Sequence, residues 1–438
     1  MHDLVLTNAT ILDGAGLRTG VDITIRDSFI TSVGAVDGQR HPGTAVVDCT
    51  GRLLIPAYAN VHNHFYSGLL RGAPPARPPA RNQRERLERV VWPFERRLRP
   101  RDIEVAVRMG LVEAITAGTT TIVDHHLSSR SISGVLDIIS AEVDASGVRA
   151  VLCYEVTDRN GAGVASAGLA ETERFLATLD PQATHVRGMV GLHAMSTVGP
   201  ETLERAIALA CRFGTGLHLH VGESEYDNED SLARYGARPV MRLDAAGALS
   251  SKTLIAHAVH VTDDEIAMIA SRDVLVAHNP RSNAANGVGL ADVRRLRAAG
   301  ITVGIGGDGF TQNIGAELDL IPLLQRQRSR DSTAFPFPEL VSLGIDGNAA
   351  IVERLGNWRT GRIAPDYVAD IVALDYDPVI PLLPDNALWH YAGGFPQAVV
   401  RDVWVGGREI LRDGEFKTID AELVRREVAS RVEMLWAS

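Results

Sequence analysis

Short apolar runs alternate with amphipathic stretches along the middle of the chain, from residue 53 to residue 307. Apolar runs of this length are typical of buried strands, and the stretches 103–117, 201–213 and 263–270 have helical spacing. Alternating strands and helices predict a parallel sheet covered by helices, and eight such units predict a (β/α)8 barrel, also called a TIM barrel. The predicted strands are 53–62, 119–126, 149–156, 186–193, 216–221, 253–260, 273–278 and 301–307.

The two ends of the chain show a different pattern, in which short alternating strands are separated by glycine turns. We expect these β-rich ends to pair into one small β-sandwich, so the fold class is α/β. The expected division is a composite β-sandwich domain of residues 1–55 plus 362–438 and a catalytic barrel of residues 56–361. The predicted strands of the ends are 4–7, 21–25, 30–33, 45–47, 369–374, 398–404 and 408–411.

The segment 68–101 interrupts the barrel pattern and is too long for an ordinary connection between a strand and a helix. It contains ten arginines and only three glutamates. Two interpretations stay open. The segment is a solvated or subunit-contacting insertion in a chain that prefers arginine to lysine, or it is a lid over the barrel mouth.

Composition narrows the class of partner. The formal net charge is -10, which gives no general electrostatic reason to bind nucleic acid or an anionic membrane, so a small-molecule partner is expected. The three cysteines are far apart and suggest neither disulfides nor a cysteine zinc cluster. The first residues lack the bases of a secretion signal, and no apolar run approaches the roughly 18 residues of a membrane span. We therefore expect a cytoplasmic protein.

Histidines and carboxylates follow the carboxyl ends of four predicted strands, the face where such barrels place their sites. His62 and His64 are two residues apart on an extended backbone, so both imidazoles point the same way and can bind one ion. Histidine and carboxylate ligands with an open coordination position are what a catalytic metal that activates water requires. The residues at these strand ends are His62, His64, His220, Glu223, His257 and Asp308.

These residues, in this order, resemble the metal-site pattern of the amidohydrolase superfamily, in its cytosine deaminase and chlorohydrolase-like branch. The chain is most similar to the SsnA-type aminohydrolases, through residues 62–68, 123–126, 157–160, 252–257 and 278–283. The resemblance implies that one divalent metal is held by the residues matching the superfamily ligands. Those residues are His62, His64, His220 and Asp308.

The resemblance and the physical interpretation agree on the catalytic roles of Glu223, His257 and Asp308. A metal-bound hydroxide attacks an electrophilic ring or amidine carbon, Asp308 takes its proton, and Glu223 donates a proton to the ring nitrogen that becomes basic. Ammonia then leaves. His257 orients the hydroxide as a neutral imidazole, with direct metal ligation as the alternative.

Candidate substrate contacts are His193, His125, Asn279 and Asn313. His193 ends the fourth strand, but Ala194 and Met195 follow it where many relatives have a proline and an aromatic residue. The usual ring-stacking wall is therefore missing from this position. Only one of His125 and His126 can easily face inward, and we favour His125. His218 is interpreted as a packed barrel histidine, and Asn283 is an alternative to Asn279 for reaching substrate.

The chain contains only two lysines, Lys252 and Lys417. Two-metal members of the superfamily bridge their ions with a carboxylated lysine on the fourth strand, and residues 186–193 contain none. We therefore expect one metal per subunit, with zinc favoured and iron or manganese possible. Residues 304–309 fit the pattern GxGxxG but follow the last strand of the barrel, so we expect no nucleotide cofactor.

The favoured function is hydrolytic deamination of an amino-substituted nitrogen heterocycle, such as a purine, pterin, pyrimidine or triazine. Glu223 favours it, because a protonated carboxyl is useful where a ring nitrogen must be protonated. Alternatives are hydrolysis of a cyclic amide, an amidine or a carbon–halogen bond at the same site, and a barrel that binds ligand without turnover. The position of the arginine-rich insertion suggests that the protein is a homo-oligomer.

Overall fold

The computed structural model describes residues 3–34, 44–75, 78–180 and 185–436. The amino-terminal strands are β1 (Leu4–Asp13), β2 (Gly16–Arg26), β3 (Phe29–Gly34), β4 (Ala45–Asp48) and β5 (Leu53–Pro56). The central strands are β6 (Tyr58–Asn63), β7 (Thr119–His126), β8 (Arg149–Val156), β9 (Val186–Gly188), β10 (Val190–Ala194), β11 (Leu217–Val221), β12 (Leu254–His257), β13 (Leu275–His278) and β14 (Val303–Ile305). The carboxyl-terminal strands are β15 (Ile371–Asp375), β16 (Val399–Val405), β17 (Arg408–Arg412) and β18 (Glu415–Phe416).

The strands of the two chain ends pair with each other, as expected from the sequence. Their order is β18-β17-β16-β15-β5-β1-β2-β3, and β4 also pairs with β1. β1 runs parallel to β4 through residues 4–7 and parallel to β5 through residues 10–11, so the sheet divides along β1. The antiparallel pair of β5 and β15, with Leu54 opposite Ala373, joins the two ends of the chain.

The central strands form the parallel barrel that the sequence predicts. Their order is β6-β7-β8-β10-β11-β12-β13-β14, and β9 also pairs with β8. An isolated parallel bridge between Asn63 and Asp308 links the end of β6 to the residues after β14. This bridge closes the circle at the carboxyl ends of the strands, where the candidate residues lie.

Helices cover the outside of the barrel and fill its loops. They are α1 (Gln83–Arg86), α2 (Trp92–Glu95), α3 (Pro100–Thr116), α4 (Val135–Ser146), α5 (Ala162–Thr178), α6 (Pro200–Phe213), α7 (Glu225–Tyr235), α8 (Pro239–Ala245), α9 (Asp263–Ser271), α10 (Pro280–Asn286), α11 (Val293–Ala298), α12 (Ile314–Ser329), α13 (Phe337–Val341), α14 (Asn348–Gly356), α15 (Ala387–Trp389) and α16 (Ala421–Trp436). Within the described ranges, no helix has the length and apolar character needed to cross a membrane.

The terminal sheet is apolar on both faces. Along β15, Ile371 and Ala373 belong to an apolar cluster enclosed by the terminal strands, whereas Val372 and Leu374 belong to the main core shared with the barrel. Successive side chains of a strand point to opposite faces, so apolar side chains of β15 pack on both faces of the sheet. The main core therefore fixes the terminal sheet against the barrel.

Two predicted strands differ from the structure in an informative way. Residues 53–62 divide into β5 and β6, because Ala57 N bonds to Asp370 O while Tyr58 N bonds to Gly118 O, so the chain changes sheet between them. The apolar pattern continues through the change and does not reveal it. The strand predicted at 253–260 ends at His257, because His257 and Ala258 have φ angles of 77° and 48°. Such angles are incompatible with a strand.

Candidate active site

Three histidines and one aspartate meet at the carboxyl ends of the barrel strands. His62 and His64 come at the end of β6, His220 lies on β11, and Asp308 follows β14. His64 Nε2 is 3.0 Å from Asp308 Oδ1 and 3.2 Å from His220 Nε2. His62 Nε2 is 3.4 Å from the same Asp308 oxygen. All four residues are buried, and we call them the histidine–aspartate cluster.

Hydrogen bonds on the far side of each ring fix the orientation of the histidines. His64 Nδ1 donates to the carbonyl of His125 at 2.5 Å, and His220 Nδ1 donates to the carbonyl of His193 at 2.9 Å. Because each Nδ1 donates to a carbonyl, Nε2 is the nitrogen that presents a lone pair to the cluster when the ring is neutral. His62 Nδ1 lies 2.9 Å from His218 Nε2, so a hydrogen bond with His218 fixes the ring of His62.

Asp308 is held in a strained backbone conformation. Its φ is 52°, which a residue other than glycine rarely adopts, and its amide donates to the carbonyl of His62 at 2.9 Å. Ser282 Oγ donates to Asp308 Oδ2 at 2.5 Å, which leaves Oδ1 directed at the histidines. The strain is consistent with a carboxylate placed for chemistry.

The electrostatics of the cluster favour a cation. Burial opposes a charge on His64, but the carboxylate of Asp308 outweighs it and raises the pKa of His64 to about 10. The pKa of Asp308 is held well below its usual range, because the nearby imidazoles of His62 and His64 outweigh its burial. His62 Nε2 is buried without a hydrogen-bond partner, and a buried nitrogen of this kind needs a ligand. The donor set therefore fits a divalent metal.

His257 and Glu223 form a second pair beside this cluster. His257 Nδ1 lies 2.8 Å from Asn283 Oδ1, which accepts its proton, so Nε2 is free to face the cavity. Glu223 Oε2 is 3.7 Å from that Nε2. Burial raises the pKa of Glu223, and His257 only partly opposes the shift. The structure thus brings a carboxyl that keeps its proton to higher pH next to the histidine–aspartate cluster.

A cavity of about 320 Å³ opens above both groups. Described residues of the insertion 68–101 supply one wall of the cavity, and we call this insertion the lid. Gln83 is buried and its side chain hydrogen-bonds to Glu223. The lid residues that line the cavity are Leu70, Arg71, Gln83, Arg84, Arg86, Leu87, Val91, Trp92 and Glu95.

Side-chain contacts join the lid to the loops of the barrel. Glu95 pairs with Arg159, which follows β8, and accepts a hydrogen bond from Tyr66 Oη at 3.1 Å. The guanidinium of Arg84 lies 4.4 Å from the ring centre of Tyr226, on α7. Among the predicted lid residues, Arg77 lies outside the described part of the chain. The described part of the lid is attached at several points around the cavity.

Comparison with known proteins identifies the family. The profile of the amidohydrolase family matches residues 53–410, more than half of the chain. The chain belongs to the amidohydrolase family. It is 31% identical, over 92% of both chains, to a 5-methylthioadenosine/S-adenosylhomocysteine deaminase of Bacillus cytotoxicus. It is also 31% identical to a 5'-deoxyadenosine deaminase of Methanothermobacter thermautotrophicus, over 97% of this chain and 96% of the relative.

Solved structures of amidohydrolases share the fold. An adenosine deaminase from Xanthomonas campestris with bound zinc superposes with a TM-score of 0.87, at 22% identity and over 99% of both chains. A zinc complex of an atrazine chlorohydrolase from Arthrobacter aurescens gives 0.85, at 21% identity, over 98% of this chain and all of the other. At this identity the likeness extends to the fold alone.

The structure separates the predicted substrate contacts of this amidohydrolase. His193 lines the cavity, whereas His125, Asn279 and Asn313 are not among the residues that line it. His125 is buried, with its ring centre 4.4 Å from that of His218. Asn279 Nδ2 lies 3.3 Å from His257 Nδ1, and Asn313 caps α12 by accepting from Ala316 N. Within the part of the chain that the structure describes, neither ring nitrogen of His125 has a hydrogen-bond partner, and substrate contact by these three residues stays a prediction.

Three residues that sequence analysis missed line the cavity: Gln83, Trp92 and Glu155. Trp92 stands 6.4 Å from the ring of His193, so the lid supplies the aromatic wall that is absent after His193. Glu155 lies on β8 and faces inward, and burial raises its pKa to about 8. The position of Glu155 inside a buried strand was a signal, because a carboxylate there needs a partner. Gln83 and Trp92 lie in the lid, where no regular pattern of apolar and polar residues marks them as part of the site.

Proposed function

We propose that this chain is a metal-dependent aminohydrolase that replaces an amino group of a nitrogen heterocycle by oxygen and releases ammonia. The observation that carries the proposal is the union of two groups in one cavity. The histidine–aspartate cluster fits a cation, and the Glu223–His257 pair beside it can move a proton. The chain's membership of the amidohydrolase family and its deaminase relatives support the same activity.

We assign His62, His64, His220 and Asp308 to one divalent ion, with zinc favoured. When bound, such an ion lowers the pKa of water to around 7 and polarises the atom under attack. The zinc reported in the adenosine deaminase of Xanthomonas campestris supports the choice of metal. The lack of a lysine in residues 186–193 supports a single ion.

The protein's own residues handle the protons. We assign to Asp308 the acceptance of a proton from water, and to Glu223 the protonation of the ring nitrogen next to the reacting carbon. His257, fixed by Asn283, orients the attacking water through Nε2. The reaction consumes one water, breaks the carbon–nitrogen bond to the amino group and yields a ring carbonyl and ammonia. The lid limits the access of bulk water to these groups.

The finer features are proposals of the same kind. The relatives' names make adenosine-type compounds the first substrates to test, with pterins, pyrimidines and triazines next. We propose a cytoplasmic homo-oligomer, in which residues 1–55 plus 362–438 and residues 56–361 are two domains. Light scattering tests the oligomeric state, and a monomer would contradict it.

Ammonia release from zinc-loaded protein, measured on a panel of aminated purines, pterins, pyrimidines and triazines, tests the function. Glu223→Gln, which keeps the shape of the side chain, is the control. Halide release or opening of a cyclic amide without ammonia release would instead favour another hydrolase. Binding of heterocycles with no turnover of any compound would favour a barrel without catalytic activity.

A further inference from the structure

A buried carboxyl group in the cavity wall has one oxygen without a hydrogen-bond partner among the described residues. Glu155 lies on β8, is 1% exposed, and its Oε2 makes no hydrogen bond. The nearest imidazole nitrogens, His125 Nδ1 and His64 Nδ1, are 3.5 Å and 3.7 Å from Oε2, and His64 Nδ1 already donates to a carbonyl. Because buried polar groups in folded proteins are almost always paired, Glu155 needs a donor from elsewhere.

The neighbouring histidine presents a second acceptor to the same place. Thr197 Oγ1 lies 3.1 Å from the carbonyl of Ala194 and 2.6 Å from His193 Nδ1, and we assign it as donor to the carbonyl and as acceptor from His193 Nδ1. The neutral ring of His193 then carries a lone pair on Nε2. This Nε2 is 3.6 Å from Glu155 Oε1, which is too long for a hydrogen bond between them. Glu155 and His193 therefore present adjacent acceptors to the cavity.

His193 on β10 and His257 on β12 flank His220, which lies on the strand between them, β11. The ring of His220 is 5.4 Å from the ring of His193 and 5.4 Å from the ring of His257. The acceptor pair and the Glu223–His257 pair both contribute to the lining of the same cavity. A planar ring above His220 would turn one edge to Glu223 and a different edge to Glu155.

We propose that Glu155 and His193 recognise an N–H donor on the substrate ring, other than the amino group that leaves. The proposal rests on the function proposed above and narrows its substrate class. The favoured substrates are heterocycles that carry a second amino group or a ring N–H, such as diaminopurines, diaminopyrimidines or diaminotriazines. Rings whose only N–H donor is the departing amino group, which include the adenosine-type compounds named for the relatives, bind more weakly to this chain, because the acceptors stay unpaired when the ring binds.

Matched ligand pairs test this recognition directly. Dissociation constants are measured by calorimetry on zinc-loaded Glu223→Gln protein, which slows consumption of the ligands. The pairs are 2,6-diamino-9-methylpurine with 9-methyladenine, 2,4-diaminopyrimidine with 4-aminopyrimidine, and 2,4-diamino-1,3,5-triazine with 2-amino-1,3,5-triazine. Because leaving a buried acceptor unpaired is costly, pairing it predicts a preference of about 10- to 100-fold for the diamino member in at least one series. No preference in any series overturns the proposal.

A variant separates recognition from a merely structural role. Glu155→Gln on the same background replaces one acceptor by a donor, so the preference for the diamino ligand should disappear while bound zinc stays at one ion. A structural role would weaken both members of a pair equally and leave their ratio unchanged, which would contradict the proposal. Glu171→Gln is the matched control, since Glu171 is equally buried but pairs with Arg174 and is not part of the cavity lining.

Two further measurements keep the outcomes distinct. If Glu155→Gln does not fold, Thr197→Val, which removes the acceptor for His193 Nδ1, should reduce the same ligand ratio, and an unchanged ratio overturns the proposal. A second tightly bound ion that Glu155→Gln removes would also overturn it, because a metal would then occupy the place of the donor. Ammonia release with no preference for N–H donors would overturn only this recognition and leave the aminohydrolase intact.

Discussion

The strand ends that form the floor of the cavity and the lid above it position their functional side chains in different ways. On the floor, backbone carbonyls of His125 and His193 hold the imidazoles of His64 and His220. In the lid, short helical turns are attached by side chains, such as the pair between Glu95 and Arg159. A floor fixed by strand register cannot move without unfolding the barrel, whereas side-chain contacts can break one by one. We therefore expect ligands to enter through movement of the lid.

The floor should show the largest effect of a single change. Asp308→Asn removes a charge that His62 and His64 both face, and removes the proposed base. We expect bound zinc to fall well below one ion per chain after dialysis and turnover to fall by about 10⁴-fold, the upper end for acid–base groups. Elemental analysis and ammonia release measure the two effects. Asp264→Asn, at an exposed position of α9, is the control, and full zinc retention by Asp308→Asn would remove Asp308 from the ligand set.

Glu223→Gln tests chemistry without disturbing the cluster. We expect zinc to stay bound while turnover falls by about 10² to 10⁴-fold, since the proton donor is lost. Burial raises the pKa of Glu223, so its protonated, active form persists at low pH and is lost as pH rises through that raised pKa. The wild-type rate should therefore fall with rising pH, and this decline should be absent in the variant. A variant with near wild-type turnover would favour a hydrolase that needs no carboxyl acid.

The residues of the floor could be predicted from sequence because side-chain direction alternates regularly along a strand. A spacing of two residues between His62 and His64 on a strand is enough to place both rings on one side. The fold itself follows from the alternation of strands and helices. Asn313 shows the limit of this reasoning, because an asparagine near a strand end can equally cap the next helix, as it does at α12. Residues of the lid, such as Gln83, belong to no periodic pattern from which their position in the site could be predicted.

Gln83→Ala tests whether the lid acts on the catalytic acid. Its amide hydrogen-bonds to Glu223, and loss of one hydrogen bond that positions the catalytic carboxyl predicts a fall in kcat of about tenfold. We expect KM to change less, because the substrate contacts of the floor are untouched. Arg81→Gln is the control, since its side chain is exposed and is not part of the cavity lining. An equal loss in both variants would mean that general loosening of the lid, not Gln83, causes the effect.

The smallest effect is expected at the aromatic wall. Trp92 lies near His193, and the guanidinium of Arg159 sits 4.9 Å from its ring centre, so the indole is held in place on the lid. Stacking of a substrate ring on an aromatic side chain contributes about 0.5 to 1.5 kcal/mol, so Trp92→Ala should raise KM by about two- to tenfold with little change in kcat. Trp92→Phe keeps a ring and should recover most of the loss. If kcat falls as strongly as it does in Gln83→Ala, Trp92 instead holds the lid closed over Glu223. The distinction between Trp92 as a binding residue and Gln83 as a contact of the catalytic acid would then be wrong.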